Sequence, residues 1–207
     1  MGPALRQRTA RLTMTKVILA SGSPRRRELL AALGIDFEAR PSCVEERRGA
    51  GETAAEYVER LAGEKAGAVA GQVSSGYVLG ADTTVVADGV LLEKPADEAD
   101  ARRMLTSLSG RWHEVLTGLC LVRAEDGATV SGVETTRVLF HPLSSAEIDW
   151  YVGTGEPLDK AGAYGIQDYG ALLVDRIEGN YFNVVGLPLN LLYRLARQLG
   201  SEIRDWR

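Results

Sequence analysis

The chain reads as an α/β domain, and three stretches carry that reading. A short apolar run, Val17-Ile18-Leu19-Ala20, passes through Ser21-Gly22-Ser23 into a segment with a helix-start signature. A second helix signature, beginning at Thr53, is followed by another compact apolar run, Tyr77 to Ala81. Two β-branched runs then face each other across Glu125-Asp126-Gly127, Val115 to Val122 and Thr129 to Phe140. Buried strands read as short apolar runs bounded by turn residues, whereas helices show apolar residues three and four apart.

Taken in order, Val17 to Ala20 is the first strand. Ser23 is the expected N-cap and Pro24 the first helical residue. Leu29, Leu30 and Leu33 continue that helix, and Gly34 stops it. Arg25, Arg26 and Arg27 occupy its first turn, where a positive charge opposes the macrodipole at about 0.3–1 kcal/mol each. Free N–H groups at a helix N-terminus bind anions, so a polyanion here would reverse that sign. The alternative is three solvated arginines that tolerate a small penalty.

Phe37 to Pro41 reads as extended, followed by a charged loop, Cys43 to Arg48, that contains Glu45 and Glu46. Thr53 and Glu56 form a capping box. The helix they open has Val58, Leu61, Ala62 and Val69 on one stripe, and Lys65 falls on the same stripe. A lysine there either snorkels its ammonium to the edge or points it into a cleft to meet an anion. Tyr77 to Ala81 delivers Asp82-Thr83-Thr84, within or at the end of a strand. A carboxylate in so apolar a stretch is expensive unless it is paired or binds a metal, which favours a functional Asp82.

Val85 to Ala87 and Val90 to Leu92 flank Asp88-Gly89, a hairpin signal. Asp97 caps the next helix, with Glu98 and Asp100 in its first turn and Met104, Leu105 and Leu108 inward. The charge there has the sign the dipole favours, which sharpens the anomaly at Arg25 to Arg27. Ser144 and Glu147 form another capping box. Ala171 to Val174 reads as a buried strand, and Pro188 opens a final helix carrying Leu189, Leu192, Leu195, Ala196 and Leu199. Between them, Asp159-Lys160-Ala161-Gly162-Ala163 places small residues around a lysine, where a backbone can approach a ligand closely.

With 207 residues the expectation is one domain, or one domain of two lobes. The net charge of −4 argues against general nucleic-acid binding but leaves room for a small anion in a local basic pocket. Cys43 and Cys120 are too far apart and too few for a disulfide framework or a zinc site. His113 and His141 suit hydrogen-bonded structural roles. No apolar run approaches the length of a membrane span. Residues 1–16 contain Arg6, Arg8, Arg11 and Lys16, no acid, and no apolar core of a secretory signal. Residues 1–13 therefore read as a disordered leader, or as sequence upstream of a natural start at Met14, residues 14–207 as the domain, and the cytoplasm as the compartment.

Basic residues at Arg25, Arg26, Lys65, Lys94 and Lys160 stand beside turns and strand ends, as do Glu46 (or Glu45), Asp82 and Asp159. That mixture suits a nucleoside triphosphate with a divalent cation bridging phosphates to carboxylates. Neither a Walker P-loop nor a Gly-x-Gly-x-x-Gly fingerprint is present.

These motifs resemble those of the Maf family of nucleoside triphosphate pyrophosphatases. The resemblance lies in Leu19 to Arg26, Gly80 to Thr83, Lys94-Pro95, Ser109-Gly110 with His113 and Thr117, Asp159 to Gln167, and Asn183 to Pro188, in the family order and within about residues 16–200. It implies an α/β fold of the Maf and inosine-triphosphatase type: a mixed, twisted sheet flanked by helices, with two lobes around a cleft. It also implies an enzyme dependent on Mg²⁺ or Mn²⁺ that splits a nucleoside triphosphate into monophosphate and pyrophosphate, often as a homodimer. Arg25, Thr83 and Gln167 resemble the branch acting on dTTP and UTP. The branch acting on 7-methyl-GTP differs there, and the family name also carries an association with septum formation, the role of a nucleotide-binding division regulator.

By the same resemblance Asp82 is the proton acceptor, Glu46 a catalytic or metal-binding acid, and Asp82 with Glu46 the metal ligands. Lys65, Lys94 and Lys160 hold phosphates and stabilise the departing charge. Ser21, Ser23 and the backbone before Arg25 cradle phosphate oxygens, Arg25 and Arg26 count among the substrate-binding residues, and Thr83 and Gln167 read a pyrimidine edge. The chain departs from the family pattern at Cys43, Glu45, Glu93 and Asp168-Tyr169.

Overall fold

In the computed structural model, residues 15–206 are described; the expected leader and the start at Met14 lie outside them. The opening apolar run forms β1 (Val17–Leu19), and α1 (Pro24–Ala32) follows from an N-cap at Ser23 with proline in its first turn. Next come β2 (Phe37–Ala39), α2 (Ala54–Ala70), β3 (Tyr77–Ala87), β4 (Val90–Leu92), α3 (Glu98–Leu108), β5 (Trp112–Arg123) and β6 (Thr129–Phe140). The chain ends with α4 (Ser145–Gly153), three short 3₁₀ turns between Glu156 and Leu173, β7 (Val174–Glu178), α5 (Tyr181–Val185), α6 (Leu189–Gln198) and a last 3₁₀ turn. Both capping boxes form, Thr53 with Glu56 and Ser144 with Glu147. Asp88 and Gly89 both take positive φ, 49° and 76°, as the two-residue hairpin between β3 and β4 requires.

The sheet is mixed, in the order β2-β1-β3-β5-β6-β7. Strands β2, β1 and β3 are parallel; β3, β5, β6 and β7 are antiparallel. Because β5 pairs with β3 from Tyr77 to Val86, β1 and β4 must share the other edge of β3. On that edge β1 covers Tyr77 to Leu79 and β4 covers Val85 to Ala87. The stretch from Gly80 to Thr84 is left without a strand partner there, which opens a notch at Asp82.

The core explains the two lobes. On one face of β3 and β5, the side chains of Leu79, Ala81, Leu119 and Leu121 pack with α1, α6 and Trp206. Farther along that face, Val85 and Val115 pack with α3, α4 and Phe140. Between these clusters stand Thr83 and Thr117, joined hydroxyl to hydroxyl at 2.9 Å. The opposite face carries α2 across both lobes, with Ala62, Ala66 and Val69 against Ile18 and Val78, and Val58 and Leu61 against Leu116. Helix α2 sits unusually close. A Cβ on Gly80 would lie 2.1 Å from the Ala62 carbonyl oxygen, and one on Gly118 would lie 2.3 Å from that of Val58.

One expected element is overturned. Ala171 to Val174 is not a buried strand. Residues Asp168–Leu173 form a 3₁₀ turn, Leu172 is 66% exposed, and pairing with β6 starts only at Val174. The apolar run has no strand beside it before Phe140, and the Tyr169 and Gly170 N–H groups are already taken by the Glu156 carboxylate. Strand β5 also starts earlier than expected, at Trp112, so His113 lies within it.

Candidate active site

A cleft of about 480 Å³ opens at the notch in the sheet, between the two lobes. That volume falls within the roughly 300–1,000 Å³ of small-molecule sites. Its wall includes Ser21, Ser23, Arg25, Arg26, Glu46, Lys65, Asp82, Thr83, Lys94, Lys160 and Gln167. The structure thus brings together every site residue expected from the sequence.

The centre is an ammonium between two carboxylates. Lys65 Nζ donates to Asp82 Oδ1 at 2.6 Å and to Glu46 Oε1 at 2.5 Å. The side chains of Lys65 and Asp82 are only 9% and 11% exposed, whereas that of Glu46 is about half exposed. The apolar stripe of α2 aims Lys65 inward, and the glycines beneath that helix let the ammonium reach the sheet. This decides between the two sequence readings of Lys65. It also separates the adjacent acids, because Glu45 turns outward to Arg47 at 2.7 Å.

Burial pushes the Asp82 carboxyl above its ordinary value despite the opposing pull of Lys65 and Arg26. For Glu46, burial pushes upward too, but the hydrogen bond and charge of Lys65, with Lys94 and Arg26 beyond, hold it below the usual carboxylate range. Two acids on one lysine are therefore driven apart, the arrangement that separates a proton acceptor from a permanent anion. No hydrogen bond among the described residues reaches Asp82 Oδ2 or Glu46 Oε2. Nor do the described residues hold a group of three or more His, Cys, Asp or Glu side chains able to form a metal site alone.

The arginines at the start of α1 divide their work. Arg26 is buried and reaches under the cleft. It donates to Gly186 O at 2.8 Å, to Ser21 Oγ and Ala81 O at 3.0 Å, and to Thr83 Oγ1 at 2.9 Å. Four of its five N–H donors thus tie α1, β3 and the segment before α6 together. Arg27 folds back on Gly22 O at 3.0 Å. Arg25 reaches across the cleft mouth to Asp159 Oδ2 at 3.3 Å. The macrodipole anomaly is thus met partly within the protein. Ser23 makes no side-chain cap bond, so the first N–H groups of α1 face the cleft uncapped.

On the far wall, Lys160 Nζ donates to Asp159 Oδ1 at 2.7 Å and to Glu156 O at 2.6 Å. Lys94 is exposed at the rim. Thr83, expected at a base edge, has its hydroxyl between Arg26 and Thr117. From there a chain of hydrogen bonds continues to Asn183 O at 3.1 Å.

Sequence reasoning assigned no role to several neighbours. Glu93 accepts from the Tyr57 hydroxyl at 2.8 Å on the cleft wall. Tyr164 lines the cleft and is backed by His113 Nε2 at 2.7 Å. Asn183 is fully buried and donates to Val115 O at 2.9 Å and Thr136 Oγ1 at 3.0 Å. The sequence marked Asn183 as the start of the family-like stretch Asn183 to Pro188 and as a polar residue directly before Val184-Val185, but neither signal gave it a role. Tyr57 and Tyr164 look like ordinary core aromatics until their hydroxyl partners are seen.

A basic cleft at the strand-to-helix end of a mixed sheet, with a shielded acid on its floor, defines an α/β protein whose site is suited in charge to phosphorylated ligands. A family model described as Maf-like protein matches residues 16–199, and the chain belongs to that family. It is 52% identical to a Koribacter versatilis protein named dTTP/UTP pyrophosphatase, over 89% of this chain and 94% of that one. It is 53% identical to one of the same name from Anaeromyxobacter dehalogenans, over 91% and 96% of the two chains. A Vibrio cholerae relative, also so named, is 54% identical over 86% and 95%.

Proposed function

We propose that the chain is a nucleoside triphosphate pyrophosphatase acting on dTTP and UTP. The observation that carries this reading is the buried Lys65 ammonium between Asp82 and Glu46, on the floor of a cleft walled by Arg25, Lys94 and Lys160. Water attacks the α-phosphorus and the α–β anhydride bond breaks, giving the monophosphate and pyrophosphate. Asp82 takes the proton from the attacking water, a task suited to a carboxylate whose affinity for protons burial has raised. Lys65 holds Asp82 in place, and Arg25, Lys94, Lys160 and the uncapped start of α1 hold the phosphate oxygens as charge builds on the leaving group.

The donor set fits a divalent cation of the Mg²⁺ type, which binds through one or two carboxylates and completes its shell with phosphates and water. Asp82 and Glu46 would hold it through the oxygens that Lys65 leaves clear, and it would neutralise phosphate charge. Gln167 stands on the cleft wall, where its amide offers one donor and one acceptor to a uracil or thymine edge. Arg26 and Thr83 serve beneath the ligand as its platform. The reading includes a cytoplasmic homodimer, tested by fractionation and by sedimentation.

The functional test is pyrophosphate release from dTTP, UTP, CTP, GTP, ATP and 7-methyl-GTP, with Mg²⁺ or Mn²⁺ and with chelator. Release from dTTP and UTP, abolished by chelator and by Asp82→Asn, is the expected result. Release mainly from another nucleotide overturns the base assignment. Nucleotide binding without hydrolysis by the folded protein overturns the enzyme and favours a binding regulator.

A further inference from the structure

Gln167 sits in the middle of a loop whose two ends are held by one carboxylate and one phenol. Tyr151, fully buried on α4, donates its hydroxyl hydrogen to Glu156 Oε1 at 2.9 Å and accepts from the Gly165 N–H at 3.2 Å. Glu156 Oε2 accepts from the Tyr169 N–H at 3.1 Å, and Oε1 accepts from the Gly170 N–H at 3.1 Å. Backbone donors on both sides of Gln167 therefore converge on the Glu156–Tyr151 pair.

The loop is closed as well as held. A Cβ on Gly170 would lie 2.0 Å from the Gly165 carbonyl oxygen and 2.7 Å from the Tyr151 hydroxyl oxygen. At its tip Asp168 adopts φ +49°, a left-handed conformation that non-glycine residues avoid unless their surroundings impose it. Apolar contacts add to the hold on one side, where Ile166 is buried and Tyr169, itself 55% exposed, meets Trp150 edge-on at a centroid distance of 5.6 Å. The polar staple is what ties both flanks of Gln167 to one point.

We propose that Glu156 and Tyr151 are positioning residues that set base selectivity by fixing the loop that presents Gln167. The inference rests on the reading of Gln167 given above. An amide can pair with uracil or, turned over, with the reversed donor–acceptor edge of cytosine. Discrimination therefore needs the loop held to within about half an ångström, the tolerance of a preorganised site.

The test measures kcat and KM for UTP and CTP in Glu156→Gln, Tyr151→Phe and Gln167→Ala, and in each positioning change combined with Gln167→Ala. Glutamine at position 156 loses one acceptor oxygen, and Tyr151→Phe removes only the hydroxyl, leaving the buried ring to maintain the fold. Each positioning change is expected to lower the UTP-to-CTP ratio of kcat/KM about tenfold while kcat for UTP stays within about twofold. In the Gln167→Ala background neither is expected to lower the ratio further, as coupled residues behave non-additively. If Gln167→Ala lowers the ratio and the positioning changes do not, the inference falls and the base reading stands. The inference also falls if the positioning changes act equally with and without Gln167. An unchanged ratio in Gln167→Ala overturns the base reading itself, and the inference with it.

Discussion

Replacing Lys65 with methionine keeps the unbranched side chain, one atom shorter, and removes its charge, leaving Asp82 buried without its partner. Taking one member from a buried ion pair destabilises by about 3–5 kcal/mol. Here the penalty has a ceiling, because Asp82 can escape by taking up a proton. With an ordinary value of 3.8 in the unfolded chain, neutralising it at pH 7 costs about 1.36 × (7 − 3.8), or about 4.4 kcal/mol. At pH 5 the same ceiling is about 1.6 kcal/mol. The sign follows from proton counts: Asp82 is protonated in the folded variant and ionised in the unfolded chain, so the penalty grows as pH rises. Glu46 contributes less because water reaches it. Urea unfolding at both pH values measures the loss, expected at about 3–4 kcal/mol at pH 7 and no more than about 2 kcal/mol at pH 5. Adding Asp82→Asn is expected to recover most of the stability and none of the pyrophosphate release. A loss below about 1 kcal/mol at pH 7, or a double variant no more stable than the single one, refutes the claim that Lys65 neutralises a buried Asp82.

Burial lowers His113 from 6.5 to about 4, against a weaker pull from the Arg111 backbone. The unfolded chain therefore binds a proton between these values that the folded protein refuses, and stability falls as pH drops. Between pH 7 and pH 5 this contribution is about 2 kcal/mol, so urea melts of His113→Gln should depend less on pH than those of the parent by about that amount. Gly118→Ala drives a methyl group into the Val58 carbonyl and lifts α2 from the sheet. A loss of roughly 1–3 kcal/mol or more is expected, with pyrophosphate release falling in step as Lys65 leaves Asp82; melting and release assays on one preparation check both. Trp206 is buried to 1%, stacks on Tyr77 at a centroid distance of 5.6 Å and donates to Ser201 Oγ at 2.7 Å. Its replacement by alanine should cost about 3–5 kcal/mol in chemical denaturation, while kcat of the folded fraction is unchanged.

Much was legible in the sequence because local physics wrote it there. Capping boxes, the Asp88-Gly89 turn and the Ser23-Pro24 helix start depend on neighbours a few residues away, and each formed as read. The ordered motifs pointed to the correct family and to a set of side chains that do meet in one cleft. Ala171 to Val174 failed as a strand because strand formation needs a partner beside it, which no local pattern reveals.

The sequence by itself determined most element types, since propensity and capping act over short range, and its ordered motifs carried the family. Only the tertiary structure decided what each charge does. Lys65 could have snorkelled to solvent until α2 settled on Gly80 and Gly118 and brought it to Asp82. Arg25 and Arg26 are adjacent and alike in sequence, yet one spans the cleft mouth and the other lies beneath the floor. The physical reason is distance along the chain: Arg26 meets Ala81 and Gly186, and Glu156 meets Tyr169 and Gly170, only after the sheet has assembled.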